Sequence, residues 1–255
     1  MPQATLVEPA ASGILLPPTQ DELPCDDGMP METERHKLQM DLLIHPLKPW
    51  LNRHPEGGYV GGNMFVYFSL EQVRKQDFRG PDVFVALEVP RRERKSWVVW
   101  EEGKGPDVVI ELLSETTAVE DKGRKKLIYQ NQLRVAEYFW FDPFNSDDWA
   151  GFDLRHGVYR VLSPDGRGRL ISKRLGLALT RWPGVYADVE TVWLRWATLE
   201  GDLLPTPQEL LEAETQRAET ERQRAEAEAR RAAAAEVEIA RLRALLAGQT
   251  DSSDR

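Results

Sequence analysis

Along this chain the spacing of apolar residues changes in a definite order. From Glu32 to Leu51 they recur at helical intervals, at Leu38, Leu42, Leu43, Leu47 and Leu51, which predicts a helix. Pro46 and Pro49 fall in its C-terminal part and are expected to kink or end it. A Gly-rich turn leads into NMFVYFS at 63–69, whose β-branched and aromatic residues predict a strand. DVFVALEV at 82–89 and DVVIELL at 107–113 are almost continuously apolar, as strands at the centre of a covered sheet are. Between them RRERKSWVVWEEGKG is basic and then aromatic. It reads as a hairpin arm whose Arg91, Arg92, Arg94 and Lys95 either grip nucleic acid or form an exposed stem.

Thr116 or Thr117 can cap a helix from about Ala118 to Leu133, with Glu120 and Asp121 in its first turn. EYFWFD at 137–142 predicts a further strand, closed by Pro143. Shorter β-like pieces follow, WAGFDLR, VYRVLS and a stretch near 170–180, with turn signals at His156-Gly157 and Asp165-Gly166. WLRW at 193–196 and GDLLPTP at 201–207 close the globular part. From Gln208 to Leu246 there is neither Gly nor Pro, and Leu211, Ala218, Ala225, Ala232, Ile239 and Leu246 fall seven apart. That is a thin heptad seam, with Glu214, Glu221 and Glu228 at its other position. Glu–Arg pairs three residues apart support a long solvated helix, so 206–248 reads as a charged helix or weak coiled coil.

The fold class is therefore α/β, in the order helix, three strands, helix, strand, with a mixed sheet, extra strands after it and a long C-terminal helix. Residues 1–30 read as a disordered acidic tail, 31–205 as the core domain and 249–255 as a disordered tail. Composition narrows the function classes. With 41% hydrophobic residues and eight tryptophans the chain can fill a substantial core. The single cysteine, Cys25, cannot form a disulfide within one chain, so a reducing compartment is the default. No basic residue precedes the short GILL run at 13–16, which argues against a signal peptide, and no apolar run approaches the ~20 residues of a membrane span. The expectation is a soluble, cytoplasmic protein with no membrane partner. The net charge of −9 is uneven: residues 1–30 carry −5, residues 206–255 carry −3, and the core between them is left with −1. Global charge thus gives no support for nucleic-acid binding, which would rest on a local basic patch.

The candidate chemistry lies in 80–143. If the strands at 82–89 and 107–113 are antiparallel neighbours, Asp82 at the start of one and Glu111 near the end of the other sit side by side across the ladder. Opposed residues lie ~4.5–5.5 Å apart, close enough for two carboxylates to hold one hard cation. Asp107 shares a face with Glu111 but lies ~13 Å along the strand, and so belongs to turn chemistry. Two like charges on buried strands need a partner, and Mg²⁺, or Mn²⁺ in its place, suits one or two carboxylates plus water and a substrate phosphate. The residue two after Glu111 is Leu113, so a lysine must come from the following helix, which offers Lys122, Lys125 and Lys126. Asp121, Lys125 and Tyr129 share one helical face; Leu127 and Ile128 mark the buried side and Lys125 borders it. Lys122 and Lys126 read as solvated or as phosphate contacts. His36, His45, His54 and His156 show no metal-ligand spacing.

GPDVFVALEVP, PDVVIELLSETT, the Asp121, Lys125, Tyr129 triplet and EYFWFDP, taken in order, resemble the Uma-two family of restriction endonucleases within the PD-(D/E)XK nuclease superfamily. METERH at 31–36, GNMFVY at 62–67 and the Ala/Glu/Arg helix extend the resemblance over roughly 31–248. It implies the αβββαβ restriction-endonuclease-like core and Mg²⁺-dependent cleavage of DNA phosphodiesters. Asp82 and Glu111 become metal-site acids, and Lys125 stands in for the lysine that the superfamily usually carries at the position of Leu113. Glu34 and His36 edge the site in the same reading. The rival expectation is a non-enzymatic nuclease-fold module that binds nucleic acid or a protein and is assembled, as a dimer, by its C-terminal helix.

Overall fold

The helical period at the start of the core folds into two pieces, α1 (Glu34–Ile44) and α2 (Leu47–Leu51). The break falls at Pro46, which serves as the N-cap of α2, while Pro49 is accommodated within the first turn of that helix. Thr33 caps α1 by accepting the His36 amide. This computed structural model describes residues 17–25, 33–53, 56–75 and 80–250; most of the expected N-terminal tail and residues 251–255 lie outside the described residues.

Then come β1 (Gly58–Gly61), β2 (Val66–Tyr67), α3 (Leu70–Lys75), β3 (Val83–Leu87), β4 (Trp97–Val98), α4 (Val99–Glu102) and β5 (Val108–Leu112). The central sheet is completed by β6 (Glu137–Phe141), β7 (Trp149–Arg155) and β8 (Val158–Val161), in the order β1-β3-β5-β6-β7-β8. Only β5 and β6 run parallel, so the sheet is mixed. The strand expected at 63–69 is corrected. The sheet's first strand is the glycine-bounded Gly58–Gly61, and the aromatic run contributes only two residues, paired in parallel with β4. The reason is steric. A Cβ at Gly62 would lie 2.3 Å from the Asp82 carbonyl oxygen, so the chain crosses the start of β3 at glycine and turns away before its aromatic residues.

Both faces of the sheet are covered, which explains the continuous apolar runs of β3 and β5. On one face Val83, Val85, Val108, Ile110 and Leu112 pack with Met40, Leu43, Leu47 and Leu51 of α1 and α2. The same layer takes in a three-stranded sheet of β9 (Leu170–Ser172), β10 (Leu177–Tyr186) and β11 (Val189–Ala197). On the other face Phe84, Val109, Tyr138 and Phe152 pack with Trp97, Tyr129 and Leu133.

The segment after β5 is continuous but not uniformly α-helical. Α-helical α5 (Ala118–Glu120) and α6 (Lys126–Ile128) alternate with π-helical turns at Asp121–Lys125 and Tyr129–Leu133. The wider turns shift the phase of the side chains, so Leu127, expected on the buried side, is 56% exposed while Ile128 and Tyr129 are buried.

Residues 17–25 also depart from the expected tail. Leu23 is buried with Tyr67 and Val98, Trp100 donates to the Pro18 carbonyl at 2.9 Å, and Tyr67 to that of Pro24 at 2.5 Å. The segment is a strap on β2, β4 and α4. From Pro205 the described residues form a second unit, dominated by α7 (Pro207–Thr250), along which Leu211 and Ile239 of the heptad seam are exposed. Among the described residues no helix is long and apolar enough to cross a membrane.

Candidate active site

The antiparallel register of β3 and β5 pairs Val83 with Ile110, and one step further sets Asp82 opposite Glu111. Leu112 N donates to Asp82 Oδ2 at 2.7 Å, and Asp82 N lies 3.5 Å from Glu111 Oε2. Asp82 is half-buried and Glu111 fully buried, at 0% exposure. Glu111 shares the strand face of Val109, beneath the helical segment that follows.

That segment delivers three side chains. Lys125 Nζ lies 3.3 Å from Glu111 Oε2 and 2.7 Å from Asp121 Oδ1. Tyr129 Oη donates to Glu111 Oε1 at 2.6 Å. Tyr138 of β6 fixes the segment from below, donating to the Asp121 carbonyl at 2.9 Å with its ring 5.3 Å from that of Tyr129. Both π-helical turns thus fall where residues face the carboxylates, a common place for such bulges.

The electrostatics follow from three carboxylates sharing one ammonium in a buried place. Burial, together with the Asp82 charge, pushes the Glu111 carboxyl up to about 7 in spite of Lys125. Burial and Glu111 push Asp121 up to about 6, and burial also raises Asp82. For Lys125 burial acts downward, but Glu111 and Asp121 more than offset it and hold the ammonium above its ordinary range. Tyr129 is raised by burial and by Glu111, so it is a fixed hydrogen-bond donor.

The family model described as "Putative restriction endonuclease", Uma2, matches residues 27–190. The chain belongs to the Uma2 family. Among solved structures it is similar to a protein from Anabaena variabilis described as "a putative nuclease belonging to DUF820", with 17% identity and a TM-score of 0.42. That match covers 62% of this chain and 91% of the other. No curated protein matches the chain.

In this Uma2 chain the remaining sequence candidates lie apart from the cluster. His36 has both ring nitrogens engaged: Nε2 lies 3.1 Å from the Leu113 carbonyl, to which it can only donate, and Nδ1 lies 2.8 Å from Thr33 Oγ1. It fastens the start of α1 to the end of β5. Glu34 is exposed. Leu113 is fully buried. Asp107 accepts from Leu87 N at 2.8 Å and pairs with Lys104 at 2.6 Å, at the opposite end of β5 from Glu111. Asp107→Ala is accordingly expected to cost about 1–3 kcal/mol in urea unfolding, by orphaning that amide.

The basic arm is not a free grip. Arg94 stands over the adjoining Tyr59 and Trp97 rings, 4.7 and 4.9 Å from their centroids, and bonds Glu102. Arg92 pairs with Glu102 as well, and Lys95 with Asp21 of the strap. A buried glutamate that sequence reasoning missed, Glu137, is structural. It accepts from Ser172 Oγ, Lys173 N and Arg174 N, and so docks β9 onto β6. Its only signal was a carboxylate heading an apolar strand.

Proposed function

We propose that this Uma2 protein is a metal-dependent endonuclease that hydrolyses DNA phosphodiester bonds at Asp82 and Glu111. The observation that carries the reading is the in-register pair itself: two carboxylates on buried strands, both with raised proton affinity, facing a lysine held in place by a second helix residue.

The donors fit a hard divalent cation. They are all oxygen, and their mutual repulsion and burial leave a deficit of positive charge that one lysine does not cover. Among the described residues no group of three or more His, Cys, Asp or Glu forms a metal cage. A two-carboxylate site is the arrangement Mg²⁺ or Mn²⁺ takes when water and substrate fill the other positions. Held by Asp82 and Glu111, such an ion would supply charge neutralisation and Lewis-acid polarisation of the phosphodiester.

The protein's own groups have distinct tasks. Lys125, kept charged by Glu111 and Asp121, is a fixed cation rather than a proton acceptor, and stabilises negative charge growing on the phosphoryl oxygens. Asp121 positions Lys125. Tyr129 positions Glu111 by occupying Oε1, which leaves Oε2 as the oxygen nearest Asp82 N and Lys125. Together they hold the charges where the reaction needs them, so that little reorganisation is required as it proceeds. The test is supercoiled plasmid incubated with the purified protein and Mg²⁺ or Mn²⁺. Nicked or linear DNA that disappears with a chelator supports the reading, and intact plasmid under all these conditions refutes it.

A further inference from the structure

Two lysines of the helical segment take no part in the carboxylate cluster. Lys122 and Lys126 lie one turn apart on the flank above β6 and β7. Both ammonium groups stand over Trp140, 5.8 and 5.5 Å from its ring centroid, and that of Lys126 lies 3.5 Å from the centroid of Phe152. Trp140 and Phe152 are themselves packed together, with centroids 4.8 Å apart. In the β5–β6 ladder Trp140 is the residue opposite Glu111, so this aromatic floor begins on the strand next to the one that carries the site carboxylate.

The charge on this flank is not balanced. Lys122 is ion-paired with Asp148. Lys126 has no ion-pair partner among the described residues, and burial against the rings depresses its proton affinity. Cation–π attraction holds the ammonium in place but supplies no counter-charge. Several other cations of the core are committed to carboxylates: Lys104 to Asp107, Arg92 and Arg94 to Glu102, and Lys95 to Asp21. Lys126 is fixed over β6 and β7, within two strands of Glu111, with no carboxylate partner among the described residues. The complement of such a group is an oxyanion, and on a nucleic acid the next oxyanion along the strand is a neighbouring backbone phosphate.

We propose that Lys126, with Lys122 beside it, forms a subsite for a backbone phosphate flanking the one bound at Asp82 and Glu111. The proposal rests on the endonuclease reading and adds the direction in which the strand leaves the site, over Trp140 and across β6 and β7. The test is the salt dependence of binding to a fluorescent DNA duplex by the full chain, with Ca²⁺ replacing Mg²⁺ to hold off cleavage. Lys126→Gln is expected to weaken binding and to reduce the slope of log affinity against log salt by about 0.9, the release of one counterion. Lys126→Arg should retain the slope, and Lys95→Gln, a surface lysine already committed to Asp21, should leave it unchanged. Thermal unfolding shows whether each variant is folded. A wild-type slope in folded Lys126→Gln overturns the subsite alone. A wild-type protein that binds no DNA at any salt overturns the endonuclease reading and the subsite with it.

Discussion

Asp82→Asn and Glu111→Gln are each expected to lower DNA cleavage on the order of 10³-fold while the protein stays folded, the scale of loss seen when one group is removed from a preorganised charge-stabilising site. The two substitutions keep shape and remove charge. An amide oxygen at position 82 can still accept from Leu112 N, and one at position 111 can still accept from Tyr129 Oη. What disappears is half of the negative charge that would hold a divalent ion between β3 and β5. The loss should appear in single-turnover cleavage of supercoiled plasmid. It should not appear in duplex affinity, which depends on cations such as Lys126. A folded Glu111→Gln protein that cleaves at the wild-type rate would remove Glu111 from the mechanism.

The second large effect is on stability, and its sign is the opposite. A carboxyl raised from its ordinary value to about 7 is protonated in the folded protein, and ionised in the unfolded chain, across the interval between the two values. The stability it contributes is fully present below about 4.5, and is lost as pH rises through about 7. Asp121 acts in the same direction over a lower interval that ends at about 6. The metal-free protein should therefore be more stable at pH 5.5 than at pH 8. Glu111→Gln removes the ionisation that is opposed, so at pH 8 in a chelator it should exceed wild type by up to about 3 kcal/mol and show a flatter pH dependence. Mg²⁺ should stabilise wild type at pH 8 by thermal unfolding and do little for the variant. Equal or lower stability of Glu111→Gln at pH 8 would mean that Glu111 is not held against its own charge.

The residues that meet at the site were legible because their placement depends on short-range rules. Strand alternation and antiparallel pairing place Asp82 against Glu111 and carry Asp107 away from it. Helical phase brings Asp121, Lys125 and Tyr129 to one face, and they meet there although the segment contains two π-helical turns. Those turns were not legible. Their effect shows at Leu127, exposed where an unbroken helix would bury it. Long-range pairings were equally hidden. Glu137 finds its partners at 172–174, Arg94 is covered by the Tyr59 ring, and the strap at 17–25 is held by Tyr67 and Trp100. In each case local composition described the residue correctly as charged or loop-like. Burial came from an element that nothing in the local pattern identifies. The edge strand Gly58–Gly61 escaped for the converse reason: its glycines serve close packing, and strand propensity does not register that.

The most direct measurement is an anomalous difference map from crystals of the protein soaked in Mn²⁺ near pH 8, where the carboxylates are ionised. The expected result is a peak on the oxygens of Asp82 and Glu111, with Lys125 still against Glu111, and no such peak in Glu111→Gln crystals. Ordered Mn²⁺ bound elsewhere on the chain, with the Asp82–Glu111 pair empty in a protein that cleaves DNA, would contradict the assignment.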